Sequence, residues 1–140
     1  MVKILDKPLQ IERIFRASEH NFRSEAFHHH CDNRNDTLVL IETEFGNKIG
    51  GFTHYPWLAP SDWQKVNDAG RKSFLFSLSM KEKFIPMEDD QLICYRKDLG
   101  PTFGRGYDLH ASDRCNINRD SYANFPYNYN REENKLERNG

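Results

Sequence analysis

Residues 37–53 narrow the folds open to this chain. In the run Thr37-Leu38-Val39-Leu40-Ile41, Leu38 and Leu40 point one way while Val39 and Ile41 point the other. A strand apolar on both faces needs cover on both sides, so a sheet inside a layered domain is predicted. Gly46-Asn47 then turns the chain into a second strand broken by Gly50-Gly51, where a bulge or a close approach of backbones is expected.

The neighbouring patterns extend this layout. After Pro8, the residues Leu9, Ile11, Ile14 and Phe15 predict a short helical segment. Ser24 reads as the N-cap of a second helix, with Glu25 where a negative charge suits the dipole. Phe27 and Cys31, four apart, share one face of it, with Ala26 or His30 beside them. Residues 73–78 alternate, placing Phe74, Phe76 and Leu78 on one face and Leu75 between two serines on the other. Residues 91–96 and 107–111 predict two further short strands. With 140 residues the chain is one domain, and its 13% aromatic content offsets a modest 37% of hydrophobic residues. The expected fold class is α+β, mainly β: an antiparallel β-sandwich flanked by short helices.

Charge and cysteine content limit the functions open to it. With 20 basic and 21 acidic residues the net charge is -1, which gives no electrostatic reason to expect nucleic acid or an anionic membrane as partner. Cys31, Cys94 and Cys115 are odd in number, and charged residues interrupt the apolar N-terminal residues. No stretch approaches the roughly 20 apolar residues of a membrane span. A soluble, cytoplasmic protein of a reducing compartment is expected, with no membrane insertion.

Several local patterns suggest chemistry and fail on spacing. His28-His29-His30-Cys31 has metal-ligating side chains, yet successive helical residues point about 100° apart and cannot converge on one ion. No metal is expected. The glycines of GPTFGRGYD lack the Lys-Ser/Thr of a phosphate loop and the third Gly of a dinucleotide fingerprint. A tight loop before a strand is expected there, and no cofactor. There is no Gly-x-Ser-x-Gly elbow. Cys115, beside Arg114 and close to Arg119, is the best candidate for a reactive thiol. No catalytic residue is assigned.

Four blocks in order resemble one family. Phe27, His28, Cys31 and Asp32 lead into the first strand, and Gly50-Gly51-Phe52-Thr53 closes the second. The run Ser73-Phe74-Leu75-Phe76-Ser77-Leu78 follows. Gly100-Pro101-Thr102-Phe103-Gly104, with Gly106 and Asp108, forms the third block, and Cys115-Asn116 with Ser121-Tyr122 the fourth. Together they resemble the TLDc domain over roughly residues 9–125 of a domain set at 1–125. The resemblance implies a β-sandwich with short helices. It also implies a non-enzymatic interaction module linked to oxidative-stress protection, with the cytosolic part of the V-ATPase as a partner. The alternatives are a redox-active or enzymatic stress protein using Cys115, and a truncated domain without independent function. Residues 126–140 are polar and Asn-rich and do not match the family's closing strand. They are expected to form a mobile tail that supplies no core strand, leaving an open sheet edge for self-association.

Overall fold

The computed structural model describes residues 10–88, 91–123 and 129–131. Among these residues, two antiparallel sheets of five strands carry the fold. The first runs in the order β1 (Thr37–Glu42), β2 (Lys48–Thr53), β4 (Phe74–Ser77), β5 (Glu82–Pro86) and β10 (Tyr129–Arg131). The second is β3 (Gln64–Val66), β6 (Ile93–Tyr95), β7 (Leu99–Phe103), β8 (Leu109–Ser112) and β9 (Tyr122–Ala123). A 3-10 turn, Ala17–Glu19, and one helix, α1 (Ser24–Cys31), precede them. This is the mainly β architecture that the strand patterns predict.

The helical expectations need two corrections. Residues 10–16 have no regular structure, and Leu9 lies outside the described residues. Ile11 is 71% exposed, so the apolar spacing never becomes a buried stripe; Ile14 and Phe15 instead dock on the core as a pair. Ser24 is the first helical residue rather than the cap, because Arg23 holds the extended capping conformation. The Ser24 N–H donates to Asp113 Oδ1 at 2.7 Å, so a carboxylate distant in sequence meets the positive end of the helix. Ser24, Phe27, His28 and Cys31 form the buried stripe.

β1 also departs from its pattern. Val39 and Ile41 pack on the core, but Leu38 is 49% exposed and Leu40 59%. β4 keeps its alternation, with the serine side inward: Leu75 is wholly buried, and Ser73 and Ser77 are buried on the same side, while Phe74 and Phe76 stand half-buried on the outer face. Serines fit inside because they are satisfied there. Ser73 Oγ donates to the buried carboxylate of Asp68 at 2.9 Å, and Ser77 Oγ accepts from Met80 N–H at 3.1 Å.

Gly51 explains how the layers meet. A Cβ there would lie 2.8 Å from Leu75 Cδ2 and 2.8 Å from Phe103 Cζ, so the Phe103 ring of the second sheet fills the space a side chain would need. The pairing around it is regular, with Val39 facing Gly51 and Gly51 facing Leu75. The glycine pair is therefore a close approach and not a bulge. Gly100-Pro101-Thr102-Phe103, expected in a loop, lies in strand β7; the turn begins at Gly104, whose φ is +89.

The polar tail overturns the expectation that it supplies no core strand. Tyr129 faces Pro86 and Arg131 faces Phe84 in antiparallel register with β5, and Tyr129 is fully buried. Its hydroxyl lies 3.0 Å from Ser73 Oγ and 2.9 Å from the Leu92 carbonyl, and its N–H donates to Asp108 Oδ2 at 3.0 Å. One satisfied aromatic residue carries the strand, while Asn130 and Arg131 stay exposed. The edge of β5 is thus occupied by β10. Residues 126–128 and 132–140 of the expected tail lie outside the described residues.

Two stability measurements follow. Gly51→Val should lower the stability by about 2 kcal/mol or more, since the new side chain must displace Phe103; an unchanged Tm rejects the close-approach account. Tyr129→Phe should cost about 1–2 kcal/mol by leaving buried polar groups unpaired, and denaturant melts showing no loss reject the anchoring role of the hydroxyl.

Candidate binding surfaces

The first motif block builds a clamp. His28 is buried, and its Nδ1 lies 2.7 Å from Asp32 Oδ1. Its Nε2 lies 3.0 Å from the Arg96 carbonyl and 2.8 Å from the Leu99 carbonyl. Carbonyl and carboxylate oxygens thus hold the ring at both of its nitrogens. The imidazole thereby ties α1 to the connection between β6 and β7. His30 is directed elsewhere: its Nδ1 donates to the Ala26 carbonyl at 2.9 Å, and His29 is exposed. Among the described residues, no three His, Cys, Asp or Glu side chains converge on a common point.

The later blocks are also committed to architecture. A Cβ on Gly104 would lie 2.0 Å from Asp108 Oδ1, so the glycine lets the chain wrap the buried carboxylate that holds Tyr129. Thr53 is fully buried and its Oγ1 accepts from Tyr55 N–H at 3.0 Å. Asn116 is exposed, and Asn118 organises the turn: its Nδ2 donates to the Asp113 and Arg114 carbonyls at 2.8 and 3.0 Å, and its Oδ1 accepts from Ser112 Oγ at 2.8 Å. Gly106 instead borders an open cleft on the second sheet.

The three thiols share one tendency. Burial pushes Cys31 up to about 12, with Asp32 adding to the shift. Burial pushes Cys94 up to about 11. Cys115 is half-buried, and burial raises it as well, ahead of the opposing backbone hydrogen bond. Each therefore favours the protonated thiol at neutral pH, the less nucleophilic form. Arg114 does not reverse this at Cys115.

Two surfaces remain open. On the outer face of the first sheet, Leu38, Phe52 and Phe74 lie in one cross-strand row, and Leu40, Gly50 and Phe76 in the next. The Phe52 and Phe74 rings stack at 5.3 Å, and Lys83 Nζ sits 4.8 Å above Phe74. Gly50 has no side chain to fill its row: a Cβ there would lie 2.6 Å from Phe76 Cζ, so the Phe76 ring leans across it. The outcome is a band of large apolar side chains on a face that polar residues usually occupy.

The second surface crosses the other sheet. Lys65 faces Cys94, Thr102 faces His110, and His110 faces Tyr122. The Tyr107 ring roofs this row, 5.4 Å from Trp63, 5.1 Å from His110 and 5.9 Å from Tyr122. The sequence patterns pass over Trp63, Lys65 and Tyr107, and only the alternation Trp63-Gln64-Lys65-Val66 hints at a strand with an outward face. Beneath the roof, His110 Nδ1 lies 2.9 Å from Thr102 Oγ1, whose own proton goes to the Gly100 carbonyl at 3.0 Å. Burial lowers the His110 pKa from 6.5, the Asp120 charge opposing more weakly.

The sign of the resulting linkage is definite. Below its unfolded value near 6.5 the unfolded chain binds the His110 proton before the folded one does, so stability is full above that pH and falls with further acidification. Urea melts between neutral pH and pH 5 should show this loss, and His110→Gln should flatten it. An identical pH profile for the variant assigns the loss to other groups.

A family model described as TLDc domain matches residues 4–137. No curated protein and no solved structure matches the chain.

Proposed function

The chain belongs to the TLDc family, whose model covers it from residue 4 to residue 137, and on that premise we propose that it is a non-enzymatic protein-interaction module. The observation that carries this reading is the apolar outer face of the first sheet, where Leu38, Leu40, Phe52, Phe74 and Phe76 adjoin. An exposed face of that polarity gains most from burial against another protein. The side-chain chemistry supports the non-enzymatic part. Thiols held in the protonated form do not supply a ready nucleophile, and the buried imidazoles of His28 and His110 hold backbone and hydroxyl partners.

The setting proposed with it is oxidative-stress protection in the cytoplasm, with the cytosolic part of the V-ATPase as partner; membership of the TLDc family supports the general stress-related role. No helix among the described residues is long and apolar enough to cross a membrane. The double substitution Leu38→Asp with Leu40→Asp tests the face, because both side chains are already half in water and the fold should survive. Purified cytosolic V-ATPase subunits should be retained by the wild-type chain and held at least about tenfold more weakly by the variant. Equal retention removes the face from the reading, and absence of retention by the wild type removes the partner. Cys115→Ser should leave peroxide protection unchanged; loss of protection in that variant favours the redox alternative.

A further inference from the structure

The cleft on the second sheet has a wall of consistent chemistry. It encloses about 420 Å³ and is lined by Trp63, Lys65, Arg105, Gly106, Tyr107 and Tyr122. Trp63 and Tyr122 are each 46% exposed, and Tyr107 stacks between them with interplanar angles of 26° and 27°. Burial raises the pKa of both phenols, so they carry hydroxyl protons at neutral pH. The wall therefore offers an indole N–H, the phenolic O–H of Tyr122, an ammonium and a guanidinium, and its charged side chains are both cations. A carboxylate-bearing ligand with an apolar or aromatic side chain complements such a wall.

The backbone under the cleft strengthens the case. Tyr107 has φ +57, a conformation unfavourable for a bulky residue. In that conformation its ring lies over His110 and shares a side-chain hydrogen bond with the buried Cys94. A strained residue that completes an exposed platform points toward recognition rather than packing alone.

We propose that this cleft, distinct from the apolar face of the first sheet, binds a short acidic segment of a protein partner, with an aromatic side chain against Trp63 and Tyr122 and a carboxylate between Lys65 and Arg105. Single-stranded nucleic acid fits less well. It requires a continuous cationic track, whereas this chain has a net charge of -1, and Asp62, Asp98 and Asp120 interact electrostatically with Arg96 or His110 around the cleft.

The chain has two tryptophans, Trp57 buried and Trp63 exposed, so their indole N–H resonances report the core and the cleft separately. The probe is an acetylated, amidated pentapeptide with a central phenylalanine, one glutamate next to it and serines elsewhere. It should shift the Trp63 resonance saturably and leave that of Trp57 in place. Lys65→Glu and Arg105→Glu should each weaken binding by about tenfold or more without changing the circular dichroism. The Leu38→Asp, Leu40→Asp variant should bind the peptide as the wild type does, which separates this site from the first sheet. An unmoved Trp63 resonance at millimolar peptide overturns the proposal. So does equal affinity in both charge-reversal variants, or tighter binding of a lysine-substituted peptide or a five-nucleotide oligothymidylate.

Discussion

Trp57 holds the parts of this domain in one arrangement. Its ring packs edge-on against Phe27 of α1 at 5.5 Å, Phe103 of β7 at 5.5 Å and Tyr95 of β6 at 6.1 Å. Its Nε1–H donates to Thr37 Oγ1 at 2.9 Å, at the start of β1. Its carbonyl accepts from Asn33 N–H at 2.9 Å, next to a parallel bridge between Asp32 and Trp57. One side chain and its backbone thus contact the helix and both sheets. Buried rings of this size bring large areas out of water, and the edge-on geometry adds about 0.5–1.5 kcal/mol per pair. The clamp at His28 works beside it, since the helix that presents Phe27 also presents the imidazole.

The sandwich and its antiparallel strands were legible in alternation and turn residues, and the order of motifs pointed to the family. Which face of each strand turns inward was less legible. In β4 the phenylalanines are the more hydrophobic set, yet the core takes Leu75 and two serines, because Asp68 and the turn at Met80 satisfy the hydroxyls. Hydrophobicity alone cannot register a hydrogen-bond partner that lies elsewhere in the chain. Trp57 was hidden for a related reason: it sits between Pro56 and a Leu-Ala-Pro run, outside any strand period, and its importance comes from contacts distant in sequence.

The candidate surfaces differ in the same way. The apolar band was present in the letters, as Leu38, Leu40, Phe52, Phe74 and Phe76, but periodicity placed it under cover. The aromatic cleft was not visible, because Trp63, Arg105, Tyr107 and Tyr122 come from three separate segments that only the register of the second sheet brings together. The family-motif residues divide between packing and surface. His28, Gly51, Gly104 and Asp108 position chain segments, whereas Phe52 stands in the open band.

Tyr129 has a consequence for the order in which the chain matures. Its partners Ser73, Leu92 and Asp108 lie 56, 37 and 21 residues earlier, so they are made well before it. While the ribosome still covers Tyr129, the first sheet lacks its last strand and the Phe103 ring lacks a neighbour. Asp68 and Ser73 meanwhile can satisfy one another, so this corner is prepared before its occupant arrives. The nascent domain is thus held one residue short of a closed interior until synthesis passes that tyrosine, a stage at which exposed edges are open to chaperones.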